Sequence, residues 1–151
     1  MGRLVVSPEV HAAIRQHGEQ TYPNECCGIM LGKNIGEDLE VWMLIKAGNT
    51  RTDSAHNRYH IAPQELIGAQ REGRKSGLDI LGFYHSHPDH PAMWSKTDFA
   101  EAHWFGCAYV ITATDGDKIT GRATITKSFL LTGTSEDDKA FVEQEISIEP
   151  D

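Results

Sequence analysis

Apolar and polar positions change their period several times along the chain, and each change marks an element. Ser7-Pro8-Glu9 places a hydroxyl cap, a first-turn proline and an acid ahead of Val10, Ala13 and Ile14 at helical spacing, which predicts a helix running to about Gly18. "CCGIMLG" and "LEVWMLIKA" read as two strands of a hairpin joined by the turn-rich "KNIGED", and the polar "GNTRTDSAHNRYHIAP" reads as a loop. Pro63 starts a second helix through Leu66, Ile67 and Ala69 to about Ser76-Gly77, where the glycine is a stop signal. Beyond it, "LDILGFYHSH" is predicted as a strand, "SKTDFAEAHWF" as a helix and "CAYVITAT" as a strand. After the turn "DGDK", the segments "ITGRATIT", "SFLLTG" and "FVEQEISI" read as further strands. Helices interleaved with hairpin strands predict an α+β fold of mixed α/β layers built on one central sheet. With 151 residues, no internal repeat and no linker, residues 1–151 are expected to form one domain.

Composition narrows the function. Apolar residues make up 39% and charged residues 24%, the balance of a folded domain. Twenty-two acids against fourteen bases give a net charge of −8, which disfavours nucleic acid as a partner because phosphate backbones need a basic patch. "MGRLVVSPEV" has no apolar segment of signal-peptide length, and no stretch approaches the roughly 20 apolar residues that span a bilayer, so a soluble cytoplasmic protein is expected. Three cysteines, with Cys26 and Cys27 adjacent, make neither a disulfide framework nor a Cys-x-x-Cys knuckle; Cys26, Cys27 and Cys107 are expected as buried thiols.

The candidate chemistry is concentrated in "HSHPDHPAMWSKTD". His85 and His87 stand two apart at the end of a predicted strand, so both rings project from one face with roots about 6–7 Å apart, close enough to share a zinc ion. A catalytic zinc needs a third protein ligand, and two patterns supply one. His-x-His-x-Asp-His, filled by His85, His87, Asp89 and His90, resembles the metal loop of the metallo-β-lactamase fold; that family needs further histidines downstream, and only His103 follows His90 here. The His-x-Glu and Pro-Cys-x-x-Cys of zinc nucleoside deaminases are both absent. The second pattern is His-x-His-Pro followed by Ser-x-x-Asp, filled by His85, His87, Pro88, Ser95 and Asp98. Ser95 with Asp98 is also a helix-capping signature, which accounts for the pair without any metal.

Together with Glu25 in "YPNECCGIMLG", this second pattern resembles the JAMM motif of the MPN-type zinc metalloproteases: a glutamate, His-Ser/Thr-His-Pro, and Ser-x-x-Asp with a seven-residue gap between the second histidine and the serine. Glu25, His85, Ser86, His87, Pro88, Ser95 and Asp98 meet it with the gap kept, and "NRYHIAP" and "ILGFYHSHP" also look like the small free-standing bacterial members. The resemblance implies an MPN/JAB-like (cytidine-deaminase-like) fold, a central mixed sheet flanked by helices. It implies one zinc ion held by His85, His87 and Asp98, Glu25 as general base, and Ser95 as oxyanion donor. It further implies cleavage after the C-terminal Gly-Gly of a small ubiquitin-like sulfur-carrier protein. A non-enzymatic MPN scaffold is the competing reading, and the presence of every motif position argues against it.

The remaining candidates are weaker. Ser86, Asp89, His90 and Trp94 are substrate contacts or groups that orient a ligand; Asp89 and His90 read equally as solvated loop residues, and Trp94, where small relatives often carry proline before the motif serine, reads as a residue packed over the loop. His56, Tyr59 and His60 lie in the polar loop without ligand spacing, His103 reads as a helix-surface histidine, and His11 and His17 carry no assigned role.

Overall fold

The computed structural model describes residues 2–49 and 60–150. His56 and Tyr59 lie outside the described residues. The chain forms β1 (Leu4–Val6), α1 (Pro8–Thr21), β2 (Cys27–Ile35), β3 (Asp38–Ala47), α2 (Pro63–Ser76), β4 (Asp79–Pro88), α3 (Lys96–Ala100), β5 (Ala108–Gly116), β6 (Gly121–Thr132), β7 (Ala140–Gln144) and β8 (Ile146–Ile148). This is the expected mixed sheet with helices. No helix of the described residues is long and apolar enough to cross a membrane.

The eight strands of the described residues join one sheet in the order β7-β6-β5-β4-β2-β3-β1-β8. β4 pairs parallel with β5, and β1 pairs parallel with both β3 and β8, while β2–β3, β2–β4, β5–β6 and β6–β7 are antiparallel. β7 and β8 stand at opposite ends of that order, yet a single residue, Glu145, separates them in sequence. The sheet must therefore curl until its two edges meet, and Leu4 N–H donates to the Glu145 carbonyl at 2.8 Å at that seam. Helix α1 reaches β1 and β3 on one side of the curl and β5 and β6 on the other. Leu4, Val6, Ile14, Met30, Tyr84 and Val110 form the core on the α1 side, whereas Ile29, Leu31, Ala69, Phe83 and Tyr109 form a second core beneath α2.

A bulge in β4 decides which residues face the second core. The β2–β4 register steps from Leu31↔Ile80 to Met30↔Gly82, leaving Leu81 as the extra residue. Leu81 and Tyr84 consequently join the α1-side core, and Phe83, His85 and His87 fall together on the other face. Gly82 is required there, since a Cβ would lie 1.9 Å from the Ala108 carbonyl oxygen.

Several predicted boundaries move for identifiable reasons. Helix α1 continues past Gly18 to Thr21; this glycine serves close packing, because its Cβ would meet Ser86 and Thr114 at 3.2 Å. β1 is not signalled by periodicity, being three residues long and buried throughout. "ITGRATIT" and "SFLLTG" are one strand, β6, whose buried polar Ser128 donates to Gln144 Oε1 at 3.0 Å instead of marking a turn. "FVEQEISI" divides at Glu145 into β7 and β8. Helix α3 ends at Ala100 rather than Phe105, so His103 lies beyond it. All three cysteines are free and buried, as expected.

Candidate metal centre

β4 is paired with β2 as far as His85 and with β5 through Pro88, so its backbone is held along the segment that carries the histidines. His85 is 1% exposed and His87 8%. Their Nε2 atoms lie 3.1 Å apart. His87 Nδ1 lies 3.0 Å from the Pro91 carbonyl oxygen, which can only accept, so Nδ1 carries the proton and a neutral His87 turns its Nε2 lone pair toward the cluster.

Asp98 arrives from the first turn of α3. Ser95 caps that helix with both arms of a capping box: its Oγ accepts from Asp98 N–H at 3.0 Å, and its own N–H donates to Asp98 Oδ2 at 2.9 Å. The capping role and the proximity of Asp98 to the histidines are therefore compatible. The Ser95 hydroxyl, accepting inside the box, keeps its proton for a partner outside it. Asp98 Oδ1 lies 3.3 Å from His85 Nε2 and Oδ2 lies 3.0 Å from His87 Nε2.

These three side chains fit a metal ion. A neutral His87 offers a lone pair and Asp98 only acceptors, so their contact requires a positive charge between them, from a proton or a metal. Tetrahedral zinc with bonds of about 2.0–2.1 Å has ligand–ligand edges of about 3.3–3.4 Å. The separations of 3.0, 3.1 and 3.3 Å are close to that figure. Burial alone would raise the Asp98 carboxyl, but the histidines and the Ser95 N–H hold it far below the usual carboxylate range. Burial pushes the His85 imidazole down; in His87 it is outweighed by the Asp98 carboxylate, and the net direction is up.

Glu25 stands just before β2. Cys27 pairs with His85, Ser86 N–H donates to the Cys26 carbonyl at 3.3 Å, and the same antiparallel register continued two residues sets Glu25 across from His87. The side chain is 4% exposed, and its Oε1 is buried with no hydrogen-bond partner among the described residues. Burial, opposed by His87 and reinforced by the charge of Asp98, pushes this carboxyl up to about 8. A buried carboxylate beside the cluster, its oxygen unoccupied, is suited to holding a proton near neutral pH.

The weaker candidates are distributed otherwise. Ser86 is fully buried and its Oγ accepts from Cys26 N–H at 2.8 Å, clasping β2 to β4. Asp89, at φ 59°, turns away from the histidines: Oδ2 accepts from Tyr22 Oη–H at 2.8 Å and Oδ1 from Gly116 N–H at 3.0 Å. His90 is exposed. The clustered atoms are thus those of His85, His87 and Asp98 rather than those of the Asp89–His90 pattern. Trp94 is 37% exposed and packs on Phe99 and Phe141, with ring centroids at 5.3 and 5.5 Å. His60 N–H donates to Asn49 Oδ1 at 3.1 Å, His103 Nδ1 lies 3.2 Å from Glu136 Oε2, and buried His17 bonds the Tyr84 hydroxyl at 2.8 Å. Sequence reasoning gave Tyr22 no part, although its hydroxyl ties Asp89 to Lys118 N–H and so braces the segment leading to Glu25. No local spacing announces a contact 67 residues long.

Known proteins resemble this chain over most of its length. A Haloferax volcanii protein named "Desampylase" is 29% identical over 120 residues, covering 76% of this chain and 83% of that protein. A Thermus thermophilus protein named "Probable TtuB-protein conjugate cleaving protease" is 35% identical over 102 residues, 68% of this chain and 64% of its own length. The solution structure of a Desulfitobacterium hafniense protein superposes with a TM-score of 0.80 at 26% identity, covering 98% of this chain and 94% of that one. A Salinibacter ruber protein gives 0.71 at 32% identity, with 99% and 92% covered. Residues 7–126 match the family described as prokaryotic homologs of the JAB domain, and the chain belongs to that family.

Proposed function

We propose that the protein is a zinc metallopeptidase that hydrolyses the amide bond after the C-terminal Gly-Gly of a ubiquitin-like sulfur-carrier protein, working as one cytoplasmic domain. The observation that carries this reading is the convergence of His85, His87 and Asp98 beside a buried Glu25 with an unoccupied carboxylate oxygen. The names of the two relatives, a desampylase and a conjugate-cleaving protease, support a protein-conjugate substrate.

Zinc held by His85, His87 and Asp98 would polarise the scissile carbonyl and lower the pKa of the attacking water toward 7. Glu25 takes that water's proton on its carboxylate and returns it to the leaving amine, a transfer for which a raised pKa is well matched. The Ser95 hydroxyl, fixed by its bond from Asp98 N–H, donates a hydrogen bond to the developing oxyanion. An extended tail ending in two glycines brings its carbonyl to the cluster without side chains in the way.

The test uses a carrier protein whose tail continues a few residues past Gly-Gly, followed by mass spectrometry, with zinc read by elemental analysis. Glu25→Gln should lower cleavage by about 10²–10⁴-fold while keeping one equivalent of zinc. Undiminished cleavage by that variant would sink the mechanism.

A further inference from the structure

Helix α3 carries Asp98 and follows Ser95, yet it has five residues, far too few to hold its shape alone. The capping box secures its amino end. Its carbonyl end is secured from far along the chain: Lys139 Nζ donates to the Phe99 carbonyl at 2.8 Å and the Ala102 carbonyl at 3.1 Å, and pairs with Glu136 Oε1 at 2.9 Å. All three ammonium donors are thereby engaged. The side chain is 5% exposed and the ammonium sits 4.8 Å from the Phe99 ring centroid.

We infer that Lys139 is a positioning residue for the metal centre, setting the carbonyl end of α3 and through it the place of Asp98 relative to His85 and His87. The inference rests on the zinc reading above. Asp98 lies between the two clamps, three residues after Ser95 and one before Phe99, whose carbonyl Lys139 holds. Its two oxygens must meet two different imidazoles, so a shift of about an ångström breaks the convergence. A cation at the carbonyl end of a helix is also favourably placed in the helix field. Phe141, two residues further on in β7, packs edge-to-face on Phe99 with centroids 5.5 Å apart, so Lys139 and the start of β7 hold α3 by charge and by ring packing at once. Lys139 falls outside residues 7–126, so the family match assigns it nothing.

The test measures zinc dissociation constants by competition with a chromophoric chelator, together with hydrogen exchange of the Asp98 amide in zinc-free protein. Lys139→Met should weaken zinc by about tenfold to a hundredfold and speed that exchange. Lys139→Arg, which keeps charge and donors, should restore most of the affinity. Val6→Ala, in the α1-side core, controls for general destabilisation: it should lower the melting temperature and leave zinc affinity unchanged. If Lys139→Met is not recovered folded, Lys139→Gln replaces it, and affinity should fall in the order Lys, Arg, Gln. Zinc affinity that is equal across the series overturns the inference. A wild type that fails to take one equivalent of zinc sinks the metallopeptidase reading itself, whereas a zinc-binding wild type with unaltered variants sinks only the role of Lys139.

Discussion

His85 and His87 come from the last part of β4, which pairs with β2 as far as His85 and with β5 through Pro88, while Asp98 comes from a five-residue helix capped by Ser95. On the strand side, position is set by the sheet: the Leu81 bulge chooses the face, Gly82 allows the close approach of β5, and Ser86 clasps the neighbouring strand. On the helix side, position is set by a few polar bonds, two of them within the capping box and two from Lys139. The lesson is that members of one cluster can differ in how they are secured, and that the helix-borne carboxylate is the one held by few bonds. Its orientation depends on single hydrogen bonds, each contributing about 1 kcal/mol net.

The largest expected effect comes from breaking the strand side. His87→Ala should abolish stoichiometric zinc by elemental analysis and reduce cleavage by about 10⁴-fold or more, because the cluster then keeps one imidazole and one carboxylate. The next concerns Glu25, which belongs to the same side. It binds its proton more tightly in the folded protein, near about 8, than at its ordinary value of 4.5. Protonation therefore stabilises the zinc-free fold at low pH, and that stabilisation is lost as pH rises from about 4.5 to about 8. Melting curves of zinc-free protein at pH 5, 6.5 and 8 should show a decline on the order of 3–5 kcal/mol in total, and Glu25→Gln should flatten it. A slope that persists unchanged in that variant would remove Glu25 as its source.

On the helix side, Ser95→Ala should lower kcat by about 10²–10³-fold through the lost oxyanion donor, and should cost about 1 kcal/mol of stability through the lost cap. Equal kcat in the two proteins would leave Ser95 with its capping role alone. The smallest effect is expected at the brace. Tyr22→Phe removes the hydroxyl shared by Asp89 and Lys118 N–H, with about 1 kcal/mol lost in denaturant unfolding and zinc affinity unchanged.

The two sides also differed in how well the sequence announced them. His85 with His87, and Ser95 with Asp98, are short-range patterns whose geometry follows from strand alternation and from helix capping, so each pair is legible in the sequence, whereas the meeting of the two pairs is implied there only by the JAMM resemblance. The hairpin of β2 and β3 and the bulk of α1 and α2 were legible for the same reason, since period and caps are local. What was not legible depends on partners far away. The carbonyl end of α3 is met by Lys139, whose contacts with Ala102 and Phe99 cross 37 and 40 residues. β1 exists because β3 and β8 flank it, and β8 separates from β7 because the sheet closes on itself. Asp89 looked like a loop residue free to serve a metal, and only the distant Tyr22 shows where its carboxylate is directed.

The seam at Glu145 has a temporal meaning for a chain made from its amino end. Glu25, His85, His87 and Asp98 have all been synthesised long before Lys139, β7 and β8, and Leu4 must wait for Ile146 to pair. Contacts between the two ends of a chain form late and slowly, because a long loop has to close first. Every chemical group of the cluster is thus present in the nascent polypeptide before Lys139, which meets α3, and before the β7–β8 segment that closes the sheet.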